Sequence, residues 1–508
     1  MMDNKILAII AVAVVAVVAA GAYFALSGDD DDDGVNLSLD AYPGTYLTVL
    51  GNADLDTEFS SADATAIQKF IDDKVDESDS YKYENYYMYD ANYDGKIDSD
   101  DVDKVNAILS ALTSGDWSEV GEVHYVNVDY NVVSYDMTHN NKVITLIAPP
   151  LDTVLAMGGQ DLIVGTDNRI TTGKYHEEYK STLDFSSLVD VGSCNEPDTE
   201  KILKASDDNG GVNVVCGTAD SYGSSMETVF KGTDVSVIRI GSWEYGATLY
   251  GLMTAGFLLK KTAESQSYYE WYEGVHDKVV DIVNSVPDEK KSAGKIGSTA
   301  CYGYLDELSI LGEYSGEYTN LMVLDPYDST EAFLNGGTTG GHGNTISTEE
   351  VSTMVEKYNL KHLILMIGTP FQVVTKATGS DNYQSSQAYM KEIYSKWLER
   401  IAGTESAAQE EFLSKCDICI TGYSFSSGVS EVLNQLIMCY YLYPDEFKAY
   451  FGCSDDAAAK EKIGEYVDAY CQKIGISGSW AFESSDGVYG MNLLYCGEDD
   501  ARNIMNGI

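Results

Sequence analysis

The stretch VITLIAPPLDTVLAMGGQDLIVGTDN, from Val143 to Asn168, decides the fold class of this chain. It begins with a short apolar run, continues with LDTVLAMGG, which has helical spacing of apolar residues, and ends with a second apolar run. Two short apolar runs separated by a helical segment are typical of a strand, a helix and a second, parallel strand. We therefore predict an α/β unit with a parallel sheet that begins at Val143.

The same alternation continues along the chain. VNVVCGT and SVIRIGSW are further apolar runs, TEKILKA is helical, and one long helix is predicted over Ala263–Val286. The pattern then restarts with KIGSTACYG, LMVLD, HLILMIG and DICITGY. This order predicts a bilobed α/β fold with two parallel-sheet lobes: an N-terminal lobe over 122–262, a connecting helix over 263–287, a C-terminal lobe over 293–475 and an unassigned tail over 476–508. Ligands bind at the carboxyl ends of such strands, so both sets of loops are expected to face a cleft.

The charge of the chain excludes one class of partner. Its 508 residues include 32 Lys and Arg against 81 Asp and Glu, a formal net charge of −49. Nucleic acid and anionic lipid are therefore not expected to bind through a basic face. The hydrophobic fraction of 44% is too high for a disordered chain. Nine Cys cannot all pair, and Cys416 and Cys419 in CDICITG are predicted to be core thiols rather than a metal or redox pair.

An apolar segment lies near the N-terminus. Ile6–Leu26 carries no charge, and at about 1.5 Å per residue it would span roughly 31 Å, the thickness of a bilayer core. Lys5 precedes it and Asp29–Asp33 follow, so the positive-inside rule places the rest of the chain outside the cytoplasm. We predict a transmembrane anchor over 1–28 and an acidic linker over 29–45, with a cleaved signal peptide as the alternative. No Cys follows at a lipobox position, which excludes a lipoprotein.

An acidic loop at 90–101 has the pattern of a calcium site. Oxygen-bearing side chains occupy its positions 1, 3, 5, 9 and 12, with Gly95 at position 6 and Ile97 at position 8. Calcium takes about six to eight oxygen ligands, and a loop of this kind supplies them. The predicted ligands are Asp90, Asn92, Asp94, the carbonyl of Lys96, Asp98 and Asp101. The alternative interpretation is a solvated acidic turn.

An earlier loop at 52–63 repeats the pattern, with Thr57 in place of the turn glycine. Its predicted ligands are Asn52, Asp54, Asp56, Glu58, Ser60 and Asp63, and we expect a weaker site. Helical stretches follow the two loops at Ala64–Lys74 and Asp101–Leu112. Two such loops, each ending at Asp, resemble a type I dockerin module over about residues 46–113. The resemblance implies bound calcium and a cohesin-like partner protein. The alternative is a purely structural spacer that bound calcium stabilises.

The body of the chain resembles the class III solute-binding proteins of ABC importers, which carry iron-siderophore complexes, haem and cobalamin. The opening stretch matches the family's first strand-helix-strand. VGSCNEPDTEKILKASDDNGGVNVVCG, STEEVSTMVEKYNLKHLILMIG and DICITGYSFSSGVSEVLNQLIMCYYLYP match later units. Residues 123–141 fit the family's edge hairpin. The likeness covers about residues 122–475 and implies a transported chelate of iron or cobalt, with an ABC permease and its ATPase as partners.

The resemblance also assigns residues to roles. The family's ligand-binding loops fall on aromatic and small polar positions: Pro149, Asn168, Arg169, Ser193, Thr218, Trp243, Tyr302, Tyr304, His342, Thr369 and Tyr423. The Gly-rich stretch 335–344 around His342 lacks the ending of a nucleotide-binding loop and is predicted to be a flexible cleft loop. The acidic residues that dock onto arginines of the permease fall on Glu200 and Glu349. Stabilisation of a helix N-terminus is the alternative role for both.

The small numbers of His and Arg residues narrow the class of ligand that the site could bind. Six His are scattered without paired spacing, which argues against a bare metal ion. Arg occurs four times, too few for the cluster that an anionic catecholate siderophore requires. A corrinoid, haem or a neutral to weakly anionic ferric siderophore remains.

These inferences predict an extracytoplasmic binding protein without catalytic residues. A cell-surface scaffold or adhesion protein that acts through the calcium module is one alternative. An exported enzyme on the same fold is another, although GxSxG, HExxH and a paired CxxC are absent from the sequence. An uncleaved anchor without a lipobox, followed by a dockerin-like module, also resembles exported archaeal proteins.

Overall fold

A computed structural model describes residues 45–73, 86–173, 175–242, 247–287, 289–290, 296–301, 308–311, 342–346, 352–353, 355–356, 361–367, 395, 398–422 and 428–476. The chain divides into two compact units, the first ending at His139 and the second beginning at Asn140. The predicted anchor, residues 29–44 of the linker and residues 477–508 of the tail lie outside the described ranges. Within those ranges, no helix has the length and apolar character needed to cross a bilayer.

Two packed helices form much of the first unit. They are α1 (Ser61–Asp72) and α2 (Ser99–Ser114), and a 3₁₀ turn lies at Tyr86–Tyr89. Ser60 and Asp98 cap the two helices, and in each helix a carboxylate three residues further on bonds back to the cap backbone. Their shared core consists of Ile67, Phe70, Val105, Ile108 and Ala111. Both helices predicted beside the acidic loops are therefore present.

A β-hairpin completes the first unit. It consists of β1 (Glu122–Val126) and β2 (Val132–Asp136), which are antiparallel. On its other side, β1 pairs with residues 48–50: Leu50 N donates to His124 O at 2.8 Å, and Val126 N donates to Thr48 O at 2.9 Å. We predicted this hairpin at the start of the binding-protein body. The structure groups it with the first unit, where its backbone partner on one side is the segment before the first acidic loop.

Five short strands form a parallel sheet in the second unit. They are β3 (Val143–Thr145), β4 (Ile163–Thr166), β5 (Val189–Asp190), β6 (Val212–Cys216) and β7 (Val235–Arg239). Their order is β5-β4-β3-β6-β7, and each neighbouring pair is parallel. The parallel α/β unit predicted from the opening stretch is confirmed. The strand β5 escaped prediction because two residues are too few to show a pattern.

The second unit also contains helices among its described residues. They are α3 (Ala148–Ala156), α4 (Asn168–Thr171), α5 (His176–Tyr179), α6 (Thr199–Asn209), α7 (Met226–Val229), α8 (Ala247–Leu258), α9 (Thr262–Ser285), α10 (Ser406–Leu413), α11 (Glu431–Leu442), α12 (Pro444–Phe451) and α13 (Asp456–Ile474). The long helix predicted between the lobes is α9. It packs against α3, α8 and α11, and every residue of α11 is buried.

A second sheet lies further along the chain. Its strands are β8 (Ile296–Cys301), β9 (Leu308–Leu311), β10 (His342–Ile346), β11 (His362–Ile367) and β12 (Asp417–Gly422), in the order β10-β9-β8-β11-β12. The predicted parallel arrangement holds for β8, β11 and β12, whereas β9 is antiparallel to both of its neighbours. HGNTI, the sequence of β10, has a single apolar residue, so an apolar pattern could not reveal it. The predicted strand LMVLD lies outside the described residues.

Candidate functional site

The two sheets have the same strand order, and this order marks where a ligand would bind. In each sheet the chain starts in the middle strand, adds two strands on one side and then crosses to add two on the other. The switch lies between β3 and β6 in the first sheet and between β8 and β11 in the second. At such a switch point the connections leave in opposite directions, and the carboxyl ends of the strands border a crevice. The loops after β3 and β6 are thus the centre of the candidate site.

A buried aspartate ties two of these loops together. Asp167, directly after β4, accepts hydrogen bonds from Ile147 N at 2.6 Å and from Arg169 N at 2.9 Å. Burial raises the pKa of Asp167, while these bonds and the Arg169 charge oppose the shift. Because one carboxylate joins the loop after β3 to the first turn of α4, the two loops are held in a fixed relation.

The backbone of the loop after β3 is strained. Ile147 has φ +70° and ψ 162°, a combination that costs a β-branched residue about 1–3 kcal/mol. The bond from its N–H to Asp167 helps to hold this conformation. The sharp turn lets α3 begin at Ala148, and Pro149 and Pro150 then fill its first turn without offering N–H groups to a ligand.

Several predicted ligand residues share this edge of the first sheet. In sheet order they are Ser193 after β5, Asn168 and Arg169 after β4, Pro149 after β3 and Thr218 after β6. Ser193 and Asn168 are exposed and the other three are half-buried. The carboxyl ends of parallel strands lie at one edge, so the topology brings these residues to the same edge of the sheet.

A residue that the sequence did not single out also lies here. Arg169 Nη2 donates to Asn195 Oδ1 at 3.3 Å, and Asn168 N donates to Gly192 O at 2.8 Å. The side chain of exposed Asn195 therefore orients the guanidinium of Arg169. Asn195 lies in the connection between β5 and α6. The sequence could have indicated Asn195 only if β5 had been predicted.

The other arginine near this edge has a structural role. Arg239, at the end of β7, is 2% exposed. Its guanidinium pairs with Glu227 and donates to three carbonyl oxygens of the loop after β6, at Gly217 (2.9 Å), Tyr222 (2.8 Å) and Gly223 (2.9 Å). These bonds use its donors to shape the loop that carries Thr218. Arg239 is thus committed to the protein rather than to a ligand.

Fewer of the predicted ligand residues can be located in the part of the chain that includes the second sheet. Trp243, which comes after β7 of the first sheet, lies outside the described residues, and so do Tyr302, Tyr304, Glu349, Thr369 and Tyr423. His342 was expected in a flexible cleft loop, but it is the first residue of β10 and pairs with Leu311. The loop prediction is therefore wrong at His342 itself, because strand pairing with β9 begins there.

The structure assigns the cap of α6 to Asp198 rather than to Glu200. Glu200 is exposed in the first turn of α6. The cap of this helix is Asp198, whose side chain accepts from Lys201 N at 3.2 Å. Glu200 is therefore not the capping residue, although its charge is still favourable at a helix N-terminus.

In the first unit, the second acidic loop is folded around its own carboxylates. Asp90 Oδ1 accepts from Asp94 N at 3.0 Å. Asp101, which is buried, accepts from Asn92 N at 3.2 Å and from Asp98 N at 2.8 Å. The last residue of the loop is thus anchored to its start and to the cap of α2.

The first acidic loop repeats this arrangement. Buried Asp63 accepts from Ala53 N at 2.7 Å and from Ser60 N at 2.8 Å. The fourth residues of the two loops share a left-handed backbone, with φ 58° at Leu55 and 57° at Tyr93. The loops differ two residues later, where Gly95 has φ 84° and Thr57 does not adopt a positive φ. Thr57 therefore does not make the positive-φ turn that Gly95 makes in the second loop. This difference is the reason for which we expected a weaker site in the first loop.

One buried atom of the first loop fits a cation. Asn52 Nδ2 donates to Leu47 O and Asp56 O, both at 2.8 Å. These bonds fix the orientation of the amide and leave Oδ1, at the first ligand position, buried without a hydrogen-bond partner. A buried acceptor in that position is costly unless a cation or donor meets it.

Protons and cations would compete for the loop carboxylates. Burial raises the pKa of Asp63 to about 7 and that of Asp101 to about 6, against the opposing effect of their backbone hydrogen bonds. Among the described residues, no three His, Cys, Asp or Glu side chains are gathered as a preformed metal site. The donor set is nevertheless one of hard oxygen atoms, which suits calcium.

Comparisons with known proteins give structural likenesses only. No protein-family profile and no curated protein sequence matches the chain. A periplasmic haem-binding protein from Pseudomonas aeruginosa aligns with 60% of this chain and 93% of its own, at 12% identity and a TM-score of 0.39. The molybdate-bound binding protein MolA of Haemophilus influenzae aligns over 69% and 97%, at 15% identity and 0.44. The TroA-like periplasmic binding protein FepB of Veillonella parvula aligns over 68% and 95%, at 12% identity and 0.46. TM-scores this low do not establish a common fold, so the fold assignment rests on the observed strand order.

Proposed function

We propose that this chain is an extracytoplasmic substrate-binding protein of an ABC importer, which binds a metal chelate at the switch points of its two sheets and delivers it to the permease. The observation that carries the proposal is the strand order. It places Pro149, Asn168, Arg169, Ser193 and Thr218, chosen from the sequence, at one edge of the first sheet. The site would act by binding alone, and the N-terminal apolar segment would anchor the protein outside the cytoplasm.

The proposed chelate is a corrinoid, haem or a neutral to weakly anionic ferric siderophore. Arg239 is committed to carbonyl oxygens and Glu227, which leaves Arg169 as the available arginine on this edge among the described residues. One half-buried guanidinium suits a single anionic group such as a propionate or phosphate.

Titration of the purified chain tests the proposal. Haemin, cyanocobalamin and ferrichrome are added separately, and the fluorescence of its five Trp is followed. For whichever of the three compounds binds the wild type, Arg169→Ala should weaken the affinity by about tenfold, because a charge-assisted hydrogen bond is lost. The control Arg400→Ala should leave the affinity unchanged. Absence of a saturable response to all three compounds would contradict the proposal.

We propose Glu200 and Glu349 as the residues that dock onto the permease. The exposure of Glu200 beside a cap supplied by Asp198 supports this role. Glu200→Ala with Glu349→Ala should abolish uptake in vesicles that contain the importer, while the affinity for the chelate stays unchanged. Glu196→Ala, on the exposed approach to α6, is the control. Normal uptake by the double variant would rule out the docking role.

We propose that the first unit binds calcium in both acidic loops and acts as a dockerin-like module. The orphan Oδ1 of Asn52 and the buried carboxylates of Asp63 and Asp101 support this proposal. Calorimetric titration with Ca²⁺ should give two binding events, and Asp90→Ala should remove one of them. The control Asp103→Asn removes a charge from the exposed face of α2 and should remove neither.

A scaffold function through this module is the second candidate. Its separation as a compact unit would let it bind a cohesin-like protein while the body binds a chelate. Retention of a cohesin domain on the immobilised chain in Ca²⁺, and its release by a chelator, would support this function. Equal retention with and without Ca²⁺ would argue against it.

A further inference from the structure

A glycine after the last strand lies against the candidate site. Gly428 opens the buried 3₁₀ turn Gly428–Ser430, which leads into α11, and it has φ +79°. A Cβ atom added there would lie 3.0 Å from Ser242 O and 3.6 Å from Pro149 Cβ. The first distance is shorter than normal contact and involves a backbone atom, which cannot move aside as a flexible side chain would.

The two contacts connect the sheets. Pro149 follows β3, and Ser242 follows β7, so both belong to loops at the carboxyl edge of the first sheet. Gly428 comes after β12, beyond the carboxyl end of a strand of the second sheet. The 3₁₀ turn also packs against α3 and α8, which begin in those same two loops.

Hydrogen bonds from α9 hold the turn in place. Tyr268 OH donates to Val429 O at 2.9 Å, and Tyr272 OH donates to Glu431 Oε1 at 2.7 Å. One turn further along, His276 Nδ1 lies 2.9 Å from Gln435 Oε1. Spacing by four residues places these three side chains on one face of the helix. The connecting helix therefore fixes the segment 428–435 that carries Gly428.

We propose that Gly428 is a positioning residue of the chelate site. Its missing side chain lets the turn Gly428–Ser430 rest on Ser242 and Pro149, and this contact sets the distance between that turn and the ligand loops of the first sheet. The inference rests on the proposed function, because it concerns the width of the same site.

Hydrogen exchange of the ligand-free full chain tests the contact directly. In Gly428→Ala, amides of 146–156 and 239–242 should exchange about fivefold faster than in the wild type, although they lie far from residue 428 in sequence. The matched control is Gly452→Ala: Gly452 also has a positive φ, +67°, but no atom lies within 4 Å of an added Cβ. It carries the same backbone strain without the clash and should leave these amides unchanged.

The outcomes separate this inference from the proposed function. Equal exchange of the two peptides in both glycine variants would overturn the positioning role. Titration with haemin, cyanocobalamin and ferrichrome then tests function separately: if the wild type binds none of them, the proposed function fails whatever the exchange shows. If Gly428→Ala does not fold, Tyr272→Phe, which removes one bond of the α9 face, should raise exchange in the same peptides. Unchanged exchange in that variant would also overturn the inference.

Discussion

Arg239 shows how one side chain can shape a loop of the candidate site. Its guanidinium is almost fully buried and bonds to Glu227 and to carbonyl oxygens of Gly217, Tyr222 and Gly223. A lysine offers a single nitrogen and cannot reach the same set of acceptors. The fixed position of Thr218 in this loop therefore depends on an arginine.

We expect Arg239→Lys to lower the free energy of unfolding by about 3 kcal/mol, because buried carbonyl oxygens lose their donors. Chemical denaturation of the second unit measures the loss. Arg169→Lys, at a half-buried position, should change stability by less than about 0.5 kcal/mol. Equal effects of the two substitutions would contradict the assigned role of Arg239.

Asp152 gives the second unit a dependence on pH. Tyr179 OH donates to its Oδ1 at 2.7 Å. Burial raises the pKa of this carboxyl from 3.8 to about 7, and the Tyr179 bond opposes the shift. The folded protein thus holds this proton more tightly than the unfolded chain. The stabilisation is complete below about pH 4 and is lost as the pH rises through about 7.

We expect Asp152→Asn to remove this dependence. The free energy of unfolding of the wild type should fall by on the order of 3 kcal/mol between about pH 4 and pH 8 on account of this group. The variant keeps an acceptor for Tyr179 but does not titrate, so its curve should be flatter. Urea denaturation across this range measures both proteins. Asp207→Asn, at an exposed site, should retain the slope of the wild type.

At the scale of elements, the start of α6 gives different positions to two acidic residues that lie close together in sequence. Asp198 caps the helix through Lys201 N, while Glu200 is exposed in the first turn. Sequence alone assigned either role to Glu200, since a carboxylate near a helix N-terminus is favourable in both. The hydrogen bond from Lys201 N assigns the cap to Asp198, and the docking role of Glu200 stays a proposal.

Asp198→Ala should lower stability by about 1 kcal/mol through loss of the cap. Glu200→Ala should cost less than about 0.5 kcal/mol, because only a favourable charge at the helix end is removed. Thermal unfolding of the two variants provides the comparison. A larger loss for Glu200→Ala would mark Glu200 as structural and weaken its assignment to docking.

The elements that the sequence predicted were those with a clear period. Apolar runs or helical spacing predicted the strands β3, β4, β6, β7, β8, β11 and β12 and the helices α1, α2, α3, α6 and α9. Shorter or less apolar elements did not. Val189–Asp190 is too short to show a pattern, and His342–Ile346 pairs through its backbone with little apolar content. Tertiary pairing determines such strands, and local sequence does not encode it.

The candidate site was predictable to the extent that topology determines it. The sequence resemblance selected Pro149, Asn168 and Thr218, and the strand order places them at one edge of the first sheet. The bonds of Asp167 to Ile147 and of Asn195 to Arg169 join positions 20 and 26 residues apart. Such contacts follow from the folded arrangement of the loops, and no residue spacing in the sequence predicts them.

At the scale of the molecule, the division at residues 139 and 140 predicts two unfolding transitions. On the proposal that the folded first unit binds calcium, excess Ca²⁺ should stabilise only that unit, raising its free energy of unfolding by about 2.7 kcal/mol at a hundredfold excess over the dissociation constant. Scanning calorimetry with Ca²⁺ and with a chelator measures the shift. Asp101→Asn should reduce it. A shift of both transitions would mean that calcium also binds the second unit or that the units unfold together.

The pairing of β1 with residues 48–50 ties the two ends of the first unit together. A fragment ending after α2 would lack β1 and would leave the backbone groups of Thr48 and Leu50 without their partners. Recombination that transfers this unit to another gene must therefore carry the hairpin with the loops and helices. The segment to be transferred therefore runs through His139, well beyond α2, the helix that follows the second acidic loop.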